Sequence, residues 1–293
     1  MSTRVEVEAK YFLKEDKDFF ELIKNEGFTK IDEVHEEDIY FTDLKSEYIK
    51  NRTCLRIRKN EKEKMELTFK GKSNINQEFY IKKENNILVD IKEYNELIGM
   101  LNNLGYYIYV TVSKNRIIYS KREKDLIYNI MIDNILNVGN FVEFEILCND
   151  ETESFEILKN KLNDFVDKFN KNKNMEVASL PYRDFVALAY YQKITNKTDK
   201  KTLLLDFDQT SVKSEKEFFK DITNIELLKQ LKEKEYCIFI TSTTGKEFIN
   251  EAIKNFNLEN TIQYIKAKEN TDYIRIDTNK FSELALILLN NRL

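Results

Sequence analysis

The chain is short of the residues from which many sites are built. Its 293 residues include three cysteines, one histidine, one proline and no tryptophan. Cys54, Cys148 and Cys237 are odd in number and far apart. They form no metal-ligand pattern and read as reduced structural thiols. His35 is the sole residue that could serve as a histidine general base, and its setting reads as a surface or strand-edge role. Neither sign of charge dominates: 47 Lys and Arg face 51 Asp and Glu, for a net charge of -4. That balance argues against a general nucleic-acid binder. No apolar stretch reaches the roughly 18 residues of a membrane span. The N-terminus lacks a signal-peptide core, so a cytoplasmic protein with no membrane attachment is expected. The oligomeric state stays open.

What is present is core-forming and charged material together. The chain is 42% hydrophobic and 33% charged, which supports folded cores rather than disorder. Its length suggests two domains. Tyr and Phe number 16 and 20, and read as core and barrel packing rather than a stacking platform.

Period-two alternation predicts strands at 3–13, 34–43, 52–60, 64–72, 76–84, 106–121, 126–136 and 140–149. Helices are expected at 15–26, 91–104, 152–170 and 181–193, the last opened by Pro181. This is an α+β pattern. "QKITNKTDKK" (192–201) is polar and reads as a linker. Beyond it, "TLLLDF", "YCIFIT", "TIQYIK" and "DYIRID" alternate with helical stretches at 215–234, 246–257 and 280–291. That order predicts a small parallel α/β domain. The expected domains are 1–193 and 201–293, joined by 194–200.

The N-terminal strands carry sorted charges. "VEVEAK" aligns Glu6, Glu8 and Lys10 on one face, with Val5, Val7 and Ala9 opposite. "LRIRK" aligns Arg56 and Arg58, "ELTFKGK" aligns Glu66, Thr68 and Lys70, and "QEFYIKK" aligns Glu78, Tyr80 and Lys82. "SKNRI" aligns Lys114 and Arg116, and "FVEFEI" aligns Glu143 and Glu145. Acidic rows sit on the first and last strands and basic rows in the middle. A closed barrel with a polar lumen needs such sorting. Its carboxylates suit Mg²⁺ or Mn²⁺, and its cations suit the oxygens of a polyphosphate. Metal and cations together stabilise charge on a phosphoryl group during transfer or hydrolysis.

"EVEAK" at Glu6–Lys10 resembles the ExExK signature of the CYTH, or triphosphate tunnel metalloenzyme, family. Arg56-x-Arg58, "LTFKGK" with Lys70, Glu78, Lys114-x-Arg116, Asp133, Gly139 and Glu143-x-Glu145 follow in the family's order. "SLPYRDF" is similar to the start of the family's C-terminal helix and brings Arg183 near the tunnel. The resemblance covers about 1–193 and implies an eight-stranded antiparallel β tunnel with flanking helices. It implies divalent metal at Glu6, Glu8, Glu143 and Glu145, with Asp133 assisting. Lys10, Arg56, Arg58, Lys70, Lys114 and Arg116 would hold the triphosphate. One departure stands out: Asn76-x-Glu78-x-Tyr80 replaces a frequent Arg-x-Glu-x-Glu strand.

In the C-terminal part, "LLLDFDQT" puts Asp206 and Asp208 at the end of a buried strand, where α/β domains bind ligands. Two such aspartates can serve as nucleophile and general acid/base. The motif resembles the DxDxT of the haloacid dehalogenase superfamily over about 201–293, with no room for a large cap. The resemblance implies phosphate binding by Thr241 and by Lys266 or Lys268, and metal binding by Asp277. Gln209 replaces the usual Gly, and Asp272 is poorly placed as a second acid.

The leading reading is a metal-dependent hydrolase of a small triphosphate substrate, fused to an aspartate-nucleophile phosphatase domain. The substrate could be inorganic tripolyphosphate, thiamine triphosphate or a nucleoside triphosphate. A class IV adenylate cyclase and a non-catalytic polyphosphate- or nucleotide-binding protein are the alternatives.

Overall fold

Period-two alternation in the N-terminal part becomes one large antiparallel sheet. The structure, a computed structural model, describes residues 5–14, 17–60, 64–71, 84–148, 155–170, 175–195, 201–207, 215–242, 246–259, 261–264, 274–276 and 278–290. Strands β1 (Val5–Leu13), β2 (Thr29–Asp43), β3 (Cys54–Asn60), β4 (Lys64–Lys70), β5 (Glu84–Asp90), β6 (Tyr106–Glu123), β7 (Leu126–Ile135), β8 (Gly139–Cys148) and β9 (Met175–Val177) form this sheet. Their order is β5-β4-β3-β2-β6-β7-β8-β1-β9. Strands β10 (Thr202–Asp206), β11 (Cys237–Thr241), β12 (Ile262–Tyr264) and β13 (Ile274–Ile276) form a parallel sheet of order β12-β11-β10-β13. The helices are α1 (Lys17–Asn25), α2 (Glu47–Lys50), α3 (Tyr94–Asn103), α4 (Phe155–Phe169), α5 (Tyr182–Thr195), α6 (Glu215–Lys220), α7 (Ile222–Glu233), α8 (Lys246–Asn255) and α9 (Phe281–Asn290). Among the described residues, no helix is long and apolar enough to cross a membrane.

The chain divides into two compact units. One comprises Met1–Tyr40, Lys50–Leu97 and Thr111–Val186; the other comprises Phe41–Ile49, Ile98–Val110 and Ala187–Leu293. In the first, Val7, Ala9, Ile130, Ile132, Val142, Phe144 and Ile146 share one face of the large sheet and are buried. Phe19 and Ile23 of α1, and Leu158, Leu162, Phe165 and Phe169 of α4, pack on that face. Phe144 meets Phe165 edge-on with ring centroids 5.1 Å apart, a favourable aromatic geometry. The hydrophobic core therefore lies under the two helices, and the charged side chains are left for the other face. In the second unit, Leu203, Leu204 and Leu205 of β10 are buried together with Phe218, Phe219, Phe281, Leu286 and Leu288.

Scarce glycine shapes how helices end. Gly27, at φ 81°, closes α1, with Gly27 N–H donating to Lys24 O and Phe28 N–H to Ile23 O. This Schellman pattern satisfies carbonyls that the helix leaves without partners. The same pattern closes α7 on Glu235 (φ 65°) and α8 on Asn257 (φ 55°), where a side chain is held in the left-handed region.

Three expectations change. Among the described residues the sheet has nine strands rather than eight, and one of them is the three-residue β9, which pairs with β1. Three residues are too few for a period-two pattern to register. Most of the expected strand 76–84 lies outside the described residues. The neighbour of β4 is β5, "ENNILVD", whose exposed Ile87 and Leu88 and paired asparagines blur the alternation. The expected helix 215–234 is two helices, α6 and α7, broken at Asp221. Asp221 is extended (φ -79°, ψ 105°), and its carboxylate caps α7 by accepting from Thr223 N–H.

Glu235→Gly should stabilise the second unit by about 1 kcal/mol by removing left-handed strain. It sacrifices only an exposed ion pair with Lys201, which contributes little. A raised urea midpoint is the expected result. Phe144→Ala should lower the midpoint of the first unit by about 3–5 kcal/mol equivalent, since Phe144 is fully buried among rings.

Candidate functional site

The face opposite the aromatic core carries the charge, and strand register decides which charges meet. Across β1 and β8, Glu8 lies opposite Glu145 and Lys10 opposite Glu143. Across β6 and β7, Arg116 lies opposite Asp133; across β3 and β4, Arg58 lies opposite Glu66 and Arg56 opposite Thr68. Side chains from β1, β2, β3, β4, β6, β7 and β8 line one cavity of about 250 Å³. Strands near opposite ends of the sheet order share it, so the sheet curls around it. The lining includes the expected Glu6, Glu8, Glu143 and Glu145 together with Lys10, Arg56, Arg58, Lys70, Lys114, Arg116 and Arg183.

The carboxylates fall into two electrostatic classes. Burial alone would raise the pKa of Glu143, but Lys10, Arg116 and Lys114 outweigh it and hold the group well below the carboxylate range. Lys10 Nζ lies 3.0 Å from Glu143 Oε1, and Arg116 Nη2 lies 2.5 Å from Oε2. Glu6 goes the other way. Burial, then the like charges of Glu8 and Glu145, push it up to about 8. Glu145 is also raised, chiefly by burial, although it accepts a 2.6 Å hydrogen bond from Asn129.

Asp133 is fully buried and stands behind the lining. Arg116 donates to both its oxygens at 2.6 Å, and Tyr182 O–H donates at 2.7 Å. Tyr182 also lies 3.8 Å below Lys10 Nζ in a cation–π contact. Arg183, 2% exposed, donates from Nη1 to Thr53 O and from Nε to Asp184 at 3.2 Å.

Two residues of β2 that carried no role in the sequence reading prove central. Asp38 accepts from Arg58 Nε at 2.6 Å and Nη2 at 2.8 Å, and from Lys114 Nζ at 3.2 Å. Glu36 lies 3.0 Å from Arg58 Nη1 and 3.1 Å from Lys114 Nζ. Arg56 is held more loosely: it donates to Thr68 at 3.3 Å and lies 3.7 Å from both Asp38 and Glu66. The signal was the alternating Glu36, Asp38 and Tyr40, which matches the spacing of Arg56 and Arg58. Tyr182 was missed because a tyrosine in a helix start carries no sign of the cavity it faces. His35 is exposed on β2 and pairs with Asn115 at 2.9 Å, away from the cavity lining.

The CYTH domain family matches residues 4–176, more than half of the chain. The chain belongs to the CYTH family. Family members are triphosphatases or cyclases, and the triphosphate tunnel metalloenzymes among them use divalent metals. The PH1012 protein of Pyrococcus horikoshii is 21% identical, with a TM-score of 0.47 over 61% of this chain and 98% of its own. PH1819 of the same organism is 21% identical, with a TM-score of 0.48 over 65% and 99%. HpAC1 from Hippeastrum, described as having a dominant triphosphatase activity, is 15% identical, with a TM-score of 0.45 over 60% and 92%. No curated protein matches the chain.

The CYTH domain's donor set fits a divalent cation in chemical type. Glu6, Glu8 and Glu145 are hard oxygen donors; burial is the main cause of the raised pKa of Glu6, and a cation would relieve the added repulsion from Glu8 and Glu145. Among the described residues, no three such groups already converge at metal-holding geometry.

In the second unit, Asp206 ends β10 and lies in register with Thr241 at the end of β11; both are buried. Phe207 N–H donates to Thr241 O at 3.1 Å, and Ser242 Oγ donates to Glu215 at 2.5 Å. Asp208, Lys266, Lys268, Asp272 and Asp277 lie outside the described residues, as do Asn76, Glu78, Tyr80 and Gln209.

A carboxyl whose pKa rises on folding binds its proton more tightly in the folded chain. Its contribution to stability is full below the ordinary value of 4.5 and is lost as pH rises towards about 8. In EDTA, the CYTH domain should therefore melt at a lower temperature at pH 8 than at pH 6. Glu6→Gln should flatten that slope, which for one group is at most about 1.4 kcal/mol per pH unit. Mg²⁺ should stabilise the wild type more at pH 8 than at pH 6, because cation and proton compete. Thermal melts at the two pH values, with EDTA and with Mg²⁺, check this.

Proposed function

We propose that the CYTH domain is a divalent-metal-dependent hydrolase of a triphosphate substrate. The observation that carries this reading is one cavity lined by a repelling carboxylate trio, Glu6, Glu8 and Glu145, and by six Lys and Arg side chains from four strands. Lys10, Arg56, Arg58, Lys70, Lys114 and Arg116 would bind the phosphoryl oxygens, with Arg183 at the margin. Arg56 suits direct phosphoryl contact. Its ion pairs are long, and its Nε lacks a hydrogen-bond partner among the described residues. Asp133 and Tyr182 would orient Arg116, and Glu143 would orient Lys10. A Mg²⁺ or Mn²⁺ ion held by Glu6, Glu8 and Glu145, with Glu143 adjoining, would neutralise phosphoryl charge and acidify bound water.

For the second unit we propose a small phosphatase of haloacid dehalogenase type at 201–293, joined by 194–200 to the tunnel domain at 1–193. Asp206 would attack phosphorus, and Asp208 would protonate the leaving oxygen. Thr241 and Lys266 would hold the phosphate, and Asp277 the metal. Two features support this. The strand order changes direction between β10 and β13, a point at which α/β sheets bind ligands, and Asp206 stands at the carboxyl end of β10.

The test is phosphate release from inorganic tripolyphosphate, thiamine triphosphate and ATP, each with Mg²⁺ and with Mn²⁺. Turnover of at least one is expected, with a loss of about 10²-fold or more in Glu8→Gln. Cyclic AMP with pyrophosphate from ATP would identify a cyclase instead. Binding without turnover would identify a binding protein. For the second site, p-nitrophenyl phosphate hydrolysis is expected from the wild type and should vanish in Asp206→Asn. Persistence of that hydrolysis in the variant would refute the assignment.

A further inference from the structure

We propose that Asp38 is a positioning residue that aims the cations of two strands into the CYTH cavity. The inference rests on the reading of that cavity as a triphosphate site. Sheet order is its starting point. Strand β2 lies between β3, which carries Arg56 and Arg58, and β6, which carries Lys114. A carboxylate at the right height on β2 can therefore serve both neighbours at once.

Asp38 stands at that height. Its side chain is fully buried and does not line the cavity, whereas Arg56, Arg58 and Lys114 do. It takes a two-pronged pair from Arg58 through Nε and Nη2 and a third bond from Lys114, with Arg56 at 3.7 Å. A two-pronged pair fixes the plane of a guanidinium as well as its position. Arg58 has five N–H groups. Asp38 takes two and Glu36 lies at hydrogen-bonding distance from Nη1, so among the described residues two remain for a ligand. Burial would raise the pKa of Asp38, but Lys114, Arg56 and Arg58 outweigh it, so the carboxylate stays ionised at neutral pH. Lys114 is itself buried, and among the described residues Asp38 and Glu36 are the carboxylates that lie within 3.2 Å of its Nζ.

The experiment is a double-mutant cycle on the full chain with Asp38→Asn, Arg58→Gln and the pair. Inorganic tripolyphosphate is the probe, its Kd read by calorimetry and its turnover by phosphate release, with melting curves as a control for folding. Asp38→Asn should weaken Kd and raise KM by about 10–100-fold, by analogy with the loss of outer partners of metal ligands. The kcat should change less. In the double variant the loss should be much smaller than the product of the single losses, because Asp38 acts through Arg58. A folded Asp38→Asn with Kd unchanged within about twofold, or losses that multiply, overturns the inference. Should Asp38→Asn fail to fold, Arg58→Lys carries the test. It keeps the charge but cannot form the two-pronged pair, so Kd should weaken about 10-fold, and an unchanged Kd overturns the inference. Wild-type binding without turnover would defeat the hydrolase reading while the cycle on Kd still decides the role of Asp38. Turnover with multiplying losses would defeat the positioning role and leave the hydrolase standing. A wild type that binds no tripolyphosphate overturns the inference outright.

Discussion

Opposite charge placed in register on one face of the large sheet is the constraint on which the first unit depends. A buried charge is costly unless it meets a partner, so cations and carboxylates must arrive in matched positions. Lys10 meets Glu143, Arg116 meets Asp133, and Arg58 meets Asp38. A slip of one residue in any of these strands would turn its charges into the aromatic core and its apolar residues into the cavity. The pairing therefore specifies register as strongly as the hydrophobic face does. It is broken at Glu6, where burial and then the neighbouring Glu8 and Glu145 raise the pKa. A bound cation would displace the proton held there.

Putting charge on one face moves the core to the other. The buried faces of β1, β7 and β8 are covered by α1 and α4, with Phe28, Phe144, Phe165 and Phe169 packed ring to ring. The arrangement reverses the usual small barrel, whose interior is apolar. It also explains a heavy use of phenylalanine beside a heavy use of charge, since each residue type serves a different face of the same strands. The scarcity of glycine has its own consequence. Two helices close on Glu235 and Asn257 at positive φ, where a glycine would fit without strain.

Strand positions from β1 to β8 were largely legible, because half-buried strands alternate strictly and the charged faces of β1, β3, β6 and β8 repeat that alternation. Glu6, Glu8, Arg56, Arg58, Lys114, Arg116, Glu143 and Glu145 could be grouped for the same reason. The short β9 and the polar β5 were not legible. The first is too brief to show a period, and the second has no buried face to impose one. The break between α6 and α7 had a visible sign in Asp221, whose capping geometry outweighs the helical periodicity around it.

By itself the sequence determined which residues share a face, because side chains alternate along any extended strand whatever its neighbours. It determined most helix-forming segments in the same local way, and the alternation of strands with helices pointed to a parallel second sheet. Which strands are neighbours was decided only by the tertiary structure. Sheet order set β2 between β3 and β6, and so made Asp38 and Glu36 the common partners of Arg58 and Lys114. It buried Asp133 behind Arg116 and brought Tyr182 from a distant helix onto both Asp133 and Lys10. The physical reason is that periodicity is a property of one strand, whereas the energy of a buried charge depends on what stands within a few ångströms of it across the sheet.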